Sequence, residues 1–299
     1  MTSAETAAPP DHVIRLLPAD APEATRTRVH VVDERAIAAY AAGIGDTRAE
    51  HFDLGRPGGI QAHPVFPVTF EWPLLDDGGP GTSMSLATRH RGLHARHDVR
   101  WFLPLVPGTE MRTVAGLHDV VVKKSLSLVT VRLDTYVPSG ERAVSTLYTR
   151  AYPGVTVEGD LPTTPASPPT GPPAETRPHR VYDVPREGPT VYTECSRIWN
   201  PIHTDIRVAR ASGLPDIVVH GTETLARAVT AVLDDRDLDR WTVSRVTSRF
   251  TGMVTPDQTV TVHRSDPRPV DDGGVHLDVC STRTDGTTVL AGSVDLRPR

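Results

Sequence analysis

A short pattern of residues occurs twice in this chain at a nearly constant separation: His51 and His203 lie 152 positions apart, Asp53 and Asp205 likewise 152, and Phe102 and Phe250 148. Around these anchors both halves read in the same order: a helix, an irregular stretch ending in a His beside Pro or Gly, a second helix, then a run of strands. Duplication of one unit is the simplest origin of such self-similarity, and it restricts the chain to two related domains. The length of 299 residues agrees, since it suits two domains of about 120 to 150 residues each.

Between the halves, residues 153–180 are dense in Pro, Thr and Gly and follow neither a helical nor a strand period, which reads as a semi-extended linker. The expected division is therefore 1–152, 153–180 and 181–299. At ~3.1 Å per residue such a linker reaches roughly 80 Å, enough to let the halves pack side by side.

In the second half, Asn200 is placed to cap a helix with Pro201 at its first position; Ile202, Ile206 and Ala209 follow at helical spacing and Gly213 closes it. A second helix is expected over 221–233, where Leu225, Ala226, Val229, Val232 and Leu233 form a face broad enough to be wrapped by sheet. Strand patterns follow at 242–251, 258–264, 275–281 and 287–296. The first half repeats this with helices at 35–44 and 65–75 and strands at 97–102, 110–122, 126–137 and 143–152. The class this implies is α+β with antiparallel sheets.

Composition removes several functions. A formal net charge of −5 argues against nucleic-acid binding, which needs a basic face to displace counterions. No run approaches the ~20 apolar residues of a membrane span, and residues 1–11 lack an apolar signal core, so a cytoplasmic protein that does not engage membranes is expected. Cys195 and Cys280 are the only cysteines and form no Cys-x-x-Cys pattern, so neither a disulfide framework nor a thiolate metal site is expected. There is no Gly-x-Ser-x-Gly elbow and no dinucleotide or phosphate-loop motif.

The residues able to do chemistry cluster in two motifs. Asn200-Pro201-Ile202-His203-Thr204-Asp205 places a His in a first helical turn, where the helix dipole disfavours its charged form and leaves a neutral imidazole to act as a base. Seventeen residues on, His220-Gly221 opens the next helix, where Gly221 can let a carbonyl approach backbone N–H groups. Taken alone, each motif is also an ordinary helix start.

Together, Asn200-Pro201-Ile202-His203-Thr204-Asp205 and Ile217-Val218-Val219-His220-Gly221-Thr222 resemble the MaoC-like (R)-specific enoyl-CoA hydratase/dehydratase family. Ala62-His63-Pro64-Val65-Phe66-Pro67 and Pro104-Leu105-Val106-Pro107-Gly108 are similar to the first halves of its two-domain members. The resemblance implies a tandem (double) hot-dog fold, each antiparallel sheet wrapped around a central helix. It also implies hydration of trans-2-enoyl thioesters, or dehydration of 3-hydroxyacyl thioesters, by an Asp/His pair. The substrate would be carried on coenzyme A or the phosphopantetheine of an acyl-carrier protein, with no metal or redox cofactor. With two halves in one chain, the monomer would be a dimer equivalent, with a homodimer as the alternative.

In the register of the family motif Gly-Asp-x-Asn-Pro-x-His, His203 matches the catalytic His, but the Asp position holds Ile198 and the Gly position Arg197. Isoleucine can neither accept a proton nor orient water, so the usual dyad cannot form there. The first half is complementary: Gly45-Asp46 and His51 keep the dyad spacing, while Asn-Pro is lost. Two placements follow, one with Asp46 and His51 as the working pair, the other with His203 as base, Asn200 orienting substrate or water, and the backbone near Gly221, beside His220, polarising the carbonyl. A third reading is a non-catalytic or repurposed protein that binds an acyl thioester or runs an altered elimination or cyclisation. Asn200, the only asparagine in the chain, tips the balance toward His203.

Arg89, Arg91 and Arg96 are candidates to meet the phosphates of the carrier. The histidines among them, His90, His94 and His97, lack a fixed metal-ligand spacing, and no metal is expected. Trp72, Trp101, Phe66, Phe70 and Phe102 are read as core aromatics that can also line an acyl tunnel.

Overall fold

Alternating burial along the strand patterns of both halves yields long antiparallel strands that join into one sheet. The computed structural model describes residues 9–76, 78–162, 175–235, 238, 241–270 and 273–299. The first half supplies β1 (Val13–Leu16), β2 (Thr25–Val31), β3 (Thr82–Met84), β4 (Leu93–Trp101), β5 (Glu110–Lys123), β6 (Leu126–Tyr136), β7 (Arg142–Pro153) and β8 (Thr156–Glu158). The second supplies β9 (Arg177–Asp183), β10 (Trp241–Phe250), β11 (Thr259–Arg264), β12 (Arg268–Pro269), β13 (Val275–Arg283) and β14 (Thr288–Pro298). The main sheet runs β2-β5-β6-β7-β4-β10-β14-β13-β11-β9 with β12 on β13, while β3-β1-β8 form a small separate sheet.

The halves meet where β4 pairs with β10, Arg245 opposite Arg100 and Ser248 opposite His97. Both 97/245 and 100/248 differ by 148, so the seam is two-fold symmetric and the offset between Phe102 and Phe250 is a structural equivalence. Each half thereby covers an edge strand of the other, removing two unpaired rows of backbone groups.

The helices are α1 (Glu34–Gly43), α2 (Val68–Glu71), α3 (Leu86–His90), α4 (Gly188–Ser196), α5 (Ile206–Ala211) and α6 (Gly221–Leu233). Helix α6 is the expected central helix: Leu225, Ala226, Val229 and Val232 are buried, and the helix lies against β9, β11, β13 and β14. Its first-half counterpart, expected over 65–75, is reduced to the single turn α2 and a 3₁₀ turn at Trp72–Leu74. Pro67 and Pro73 account for this, since a proline lacks the N–H a continuing helix needs and crowds the preceding turn.

The helix expected from Asn200 to Gly213 is broken in two, a 3₁₀ turn at Pro201–His203 and then α5. Asn200 does cap the first turn, accepting from Ile202 N–H at 3.4 Å, but Asp205 starts a new one by accepting from Arg207 N–H at 2.8 Å. Helix α4 was not anticipated. It is the counterpart of α1 and packs on it: Tyr40 and Tyr192, again 152 apart, bring their ring centroids to 5.8 Å and their hydroxyls to 3.4 Å. Gly43 is required there, because a Cβ on it would lie 2.7 Å from Cβ of Cys195. One hydrophobic cluster accordingly runs through both halves, with Ile37 and Tyr40 joined to Tyr192, Leu225 and Val229.

The ends of the stretch read as linker are strands instead. Strand β7 runs through Pro153, β8 pairs with β1, and β9 pairs with β11, so the second half begins by Arg177. Their pairing partners lie far away in sequence, which no local pattern reveals. Residues 163–174 of that stretch fall outside the described residues. No helix among the described residues is long and apolar enough to cross a membrane.

Candidate active site

After α4, Arg197 adopts a left-handed conformation (φ 60°) that turns the chain into Ile198, Asn200 and His203. His203 Nδ1 lies 2.7 Å from the Val218 carbonyl. A carbonyl only accepts, so the neutral ring carries its proton on Nδ1 and presents the Nε2 lone pair. His220, buried at the start of α6, stacks on His203 with centroids 3.5 Å apart, and its Nε2 points to the Ile198 carbonyl at 3.2 Å. Burial pulls the pKa of His203 down to about 4 against the opposing effect of the Val218 bond. Burial, reinforced by the neighbouring His203, holds His220 well below its ordinary value. Both rings are neutral near pH 7, and the principal cause is desolvation, not the dipole of a helix start.

His203, His220, Gly221, Thr222, Asn200 and Ile198 line one side of a cavity of about 540 Å³. The N–H groups of Gly221 and Thr222 open α6, where no carbonyl lies one turn back within the helix to receive them. A Cβ on Gly221 would meet the Phe250 ring at 3.2 Å, so the glycine also admits Phe250. Exposed Leu86, Trp199 and Met253 also border the cavity. Its far wall includes Val68 and Trp72, from the broken central helix of the first half.

The pseudo-symmetric location is nearly filled, leaving about 90 Å³ among Arg48, Gln61, Pro64, Trp101 and Leu233. There the facing helix is the complete α6, whose Thr230 hydroxyl reaches Asp46 at 3.2 Å. His51 repeats the His203 arrangement, with Nδ1 2.7 Å from the Gln61 carbonyl, and its Nε2 lies 3.1 Å from Asp46. Arg48, at the position equivalent to Asn200, contacts both: its Nη2 is 2.6 Å from Asp46 and 3.1 Å from His51 Nε2. Burial alone would raise the Asp46 pKa, but hydrogen bonds from His51 and Arg48 hold it well below the carboxylate range. Asp46 and His51 are thus brought together as their spacing implied, yet both are buried and both are engaged by Arg48, which ion-pairs with Asp46.

Of the basic cluster, Arg89, half-buried on α3, lines the large cavity with His90 and His94. Arg91 and Arg96 are exposed and are not part of its wall. Trp72 faces the cavity, Phe66 and Phe70 are core, Trp101 borders the small cavity, and Phe102 is exposed beneath Arg142. Among the described residues, no three His, Cys, Asp or Glu side chains are grouped to hold a metal ion. Sequence reading missed Arg150 and Tyr148, both on the cavity wall. The available signal was an arginine within the largely buried strand 143–152.

Residues 169–270 match the family model described as "MaoC like domain". Among solved structures, peroxisomal multifunctional enzyme type 2 from Drosophila melanogaster is similar at 23% identity and TM-score 0.69, over 91% of this chain and 48% of that one. The chain thus spans about half the length of that relative. A MaoC-like dehydratase from Phytophthora capsici aligns at 18% identity and TM-score 0.73, over 93% of this chain and 96% of that one. A conserved hypothetical protein from Mycobacterium tuberculosis, described as having a double hotdog fold, aligns at 15% identity and TM-score 0.62, over 91% and 95%. No curated protein sequence matches the chain significantly.

Proposed function

The chain carries a MaoC-like domain over residues 169–270 in a double hot-dog fold, and from that premise we propose that it is a hydro-lyase acting on acyl thioesters in the cavity between its halves. The observation that carries this reading is the fixed tautomer of His203, whose Nε2 lone pair is left free on the wall of a cavity large enough for an acyl thioester.

In the hydration direction, Nε2 of His203 takes a proton from water as the water oxygen bonds to Cβ of the enoyl group. The Cα–Cβ π electrons move toward the thioester carbonyl, whose developing negative charge is met by N–H groups at the start of α6. The imidazolium then returns its proton to Cα, completing addition of water and restoring His203. The depressed pKa keeps His203 neutral and makes its protonated form a strong donor, which suits this return. Asn200, whose side-chain oxygen caps Ile202, has an amide group left to orient water. The acyl group would be carried on coenzyme A or phosphopantetheine.

Buried Ile198 supports a second reading, a site that binds the thioester or runs an altered elimination, since no carboxylate shares the work of His203. The test is loss of enoyl absorbance with a panel of trans-2-enoyl-CoA substrates, run beside His203→Ala. Turnover abolished by the variant supports the hydro-lyase, turnover retained overturns its assignment to His203, and binding without turnover on every substrate selects the second reading.

A further inference from the structure

We propose that the cavity contains an anion-binding subsite built on Arg150, and that the acyl group it accepts ends in a carboxylate. This rests on reading the cavity as an acyl-thioester site.

Arg150 lies on β7 only 9% exposed, yet it lines the cavity. Its guanidinium stands 5.6 Å from the centre of the Trp72 ring and 5.5 Å from that of Tyr148. These ring faces and the Tyr148 and Tyr152 hydroxyls, which also interact with the guanidinium, offset part of the charge, but neutral phenols carry no negative charge and do not supply the planar pair of oxygens that an arginine fork fits. Other substantially buried arginines have carboxylates: Arg48 pairs with Asp46, Arg227 with Glu223 and Arg264 with Asp235. Among the described residues, no carboxylate forms an ion pair with Arg150. An arginine keeps its charge when buried, so the protein holds a cation on the cavity wall without a counter-ion of its own.

A second observation points the same way. Arg89 lines the same cavity from α3, and its Nε is buried with no hydrogen-bond partner. Asp76, the carboxylate on this wall, is exposed and ion-pairs with neither arginine among the described residues. His94, directly across the strand pair from Arg150, adds no charge, because burial, with His97 and Arg150 nearby, holds its pKa well below the ordinary value.

The wall also connects the reacting end to this cation. Phe250 packs on Gly221 and lies 4.6 Å from His94, His94 stacks on Tyr148 at 4.0 Å, and Tyr148 lies beneath Arg150. A thioester carbonyl held at the start of α6 would direct its acyl tail along these rings toward Arg150. The carrier would leave the cavity at the side bordered by the exposed Leu86, Trp199 and Met253.

The experiment compares two trans-2-enoyl-CoA thioesters of equal length, one ending in a carboxylate and one in a methyl group, on the wild type and on Arg150→Met and Arg150→Lys. A charge-assisted pair predicts a wild-type preference in kcat/KM for the carboxylate of about tenfold to a hundredfold. The preference should collapse toward unity in Arg150→Met and be partly kept in Arg150→Lys, whose ammonium retains charge without the fork. The same pair as phosphate-free N-acetylcysteamine thioesters identifies the anion: a retained Arg150-dependent preference assigns it to the acyl terminus, whereas an effect of Arg150→Met seen only with the CoA forms assigns it to the carrier and overturns the proposal. Calorimetric titration with the saturated analogues separates this inference from the assigned reaction. Carboxylate-selective, Arg150-dependent binding without turnover keeps the subsite and discards the hydro-lyase. Turnover with equal preference for both termini keeps the hydro-lyase and discards the subsite.

Discussion

Asp46→Ala distinguishes a working dyad from a structural ion-pair cluster. The Asp46 side chain is fully buried, 2.6 Å from Arg48 and 3.1 Å from His51, with the Thr230 hydroxyl at 3.2 Å. Removing it leaves the substantially buried Arg48 with Glu50 alone as a close counter-ion, 2.9 Å away. Breaking one side of a buried pair costs about 3 to 5 kcal/mol, the lower end being expected because Glu50 remains. At about 2 °C per kcal/mol for a large domain, the melting temperature should fall by roughly 6 °C at pH 7. The folded-state pKa of Asp46 is held below its unfolded value, so its contribution is present above about pH 4 and fades as the pH falls further. The variant and the wild type should therefore converge in stability toward low pH. Turnover measured well below the melting point should remain within a few-fold of wild type, because Asp46 does not line the large cavity. A variant of unchanged stability that had lost turnover would place the chemistry at Asp46 and His51 and refute this reasoning.

His203→Ala should lower kcat by about 10² to 10⁴, the usual contribution of a general base, while circular dichroism remains that of the wild type. With His203 held near 4, the acid limb of kcat/KM should fall around pH 4 in a pH–rate profile, and a limb near 6.5 would contradict the neutral, buried imidazole. Stability should rise with pH between about 4 and 6.5 because the unfolded His203 binds protons that the folded one does not, and thermal melts of His203→Gln should show that slope reduced. Burial lifts Glu71 to about 8 despite the Thr146 hydrogen bond, so it folds as the neutral acid and costs stability as the pH rises from about 4.5 toward 8. Glu71→Gln should raise the melting temperature more at pH 8 than at pH 5.

The sequence alone determined the duplication, the offset of 152 that equates His51 with His203, and the complete central helix α6. These are local or periodic signals: an amphipathic face, a cap, a repeated spacing. It also established that Ile198 occupies the position of Asp46, which needs only a register. It missed α4, whose short helix is secured by packing Tyr192 on Tyr40 across the two halves. Nor could it reveal the strands within 153–180, whose partners are remote.

Which half holds the open site was decided by tertiary structure, because each His-bearing segment faces the central helix of the other half. Opposite His51 stands an intact helix whose Leu233 and Thr230 fill the space and close on Asp46. Opposite His203 stands a helix interrupted at Pro67 and Pro73, and the volume it leaves is the cavity. The prolines are plain in the sequence, but the space they vacate belongs to a histidine more than a hundred residues away, and only the two-fold packing of the halves brings the two together.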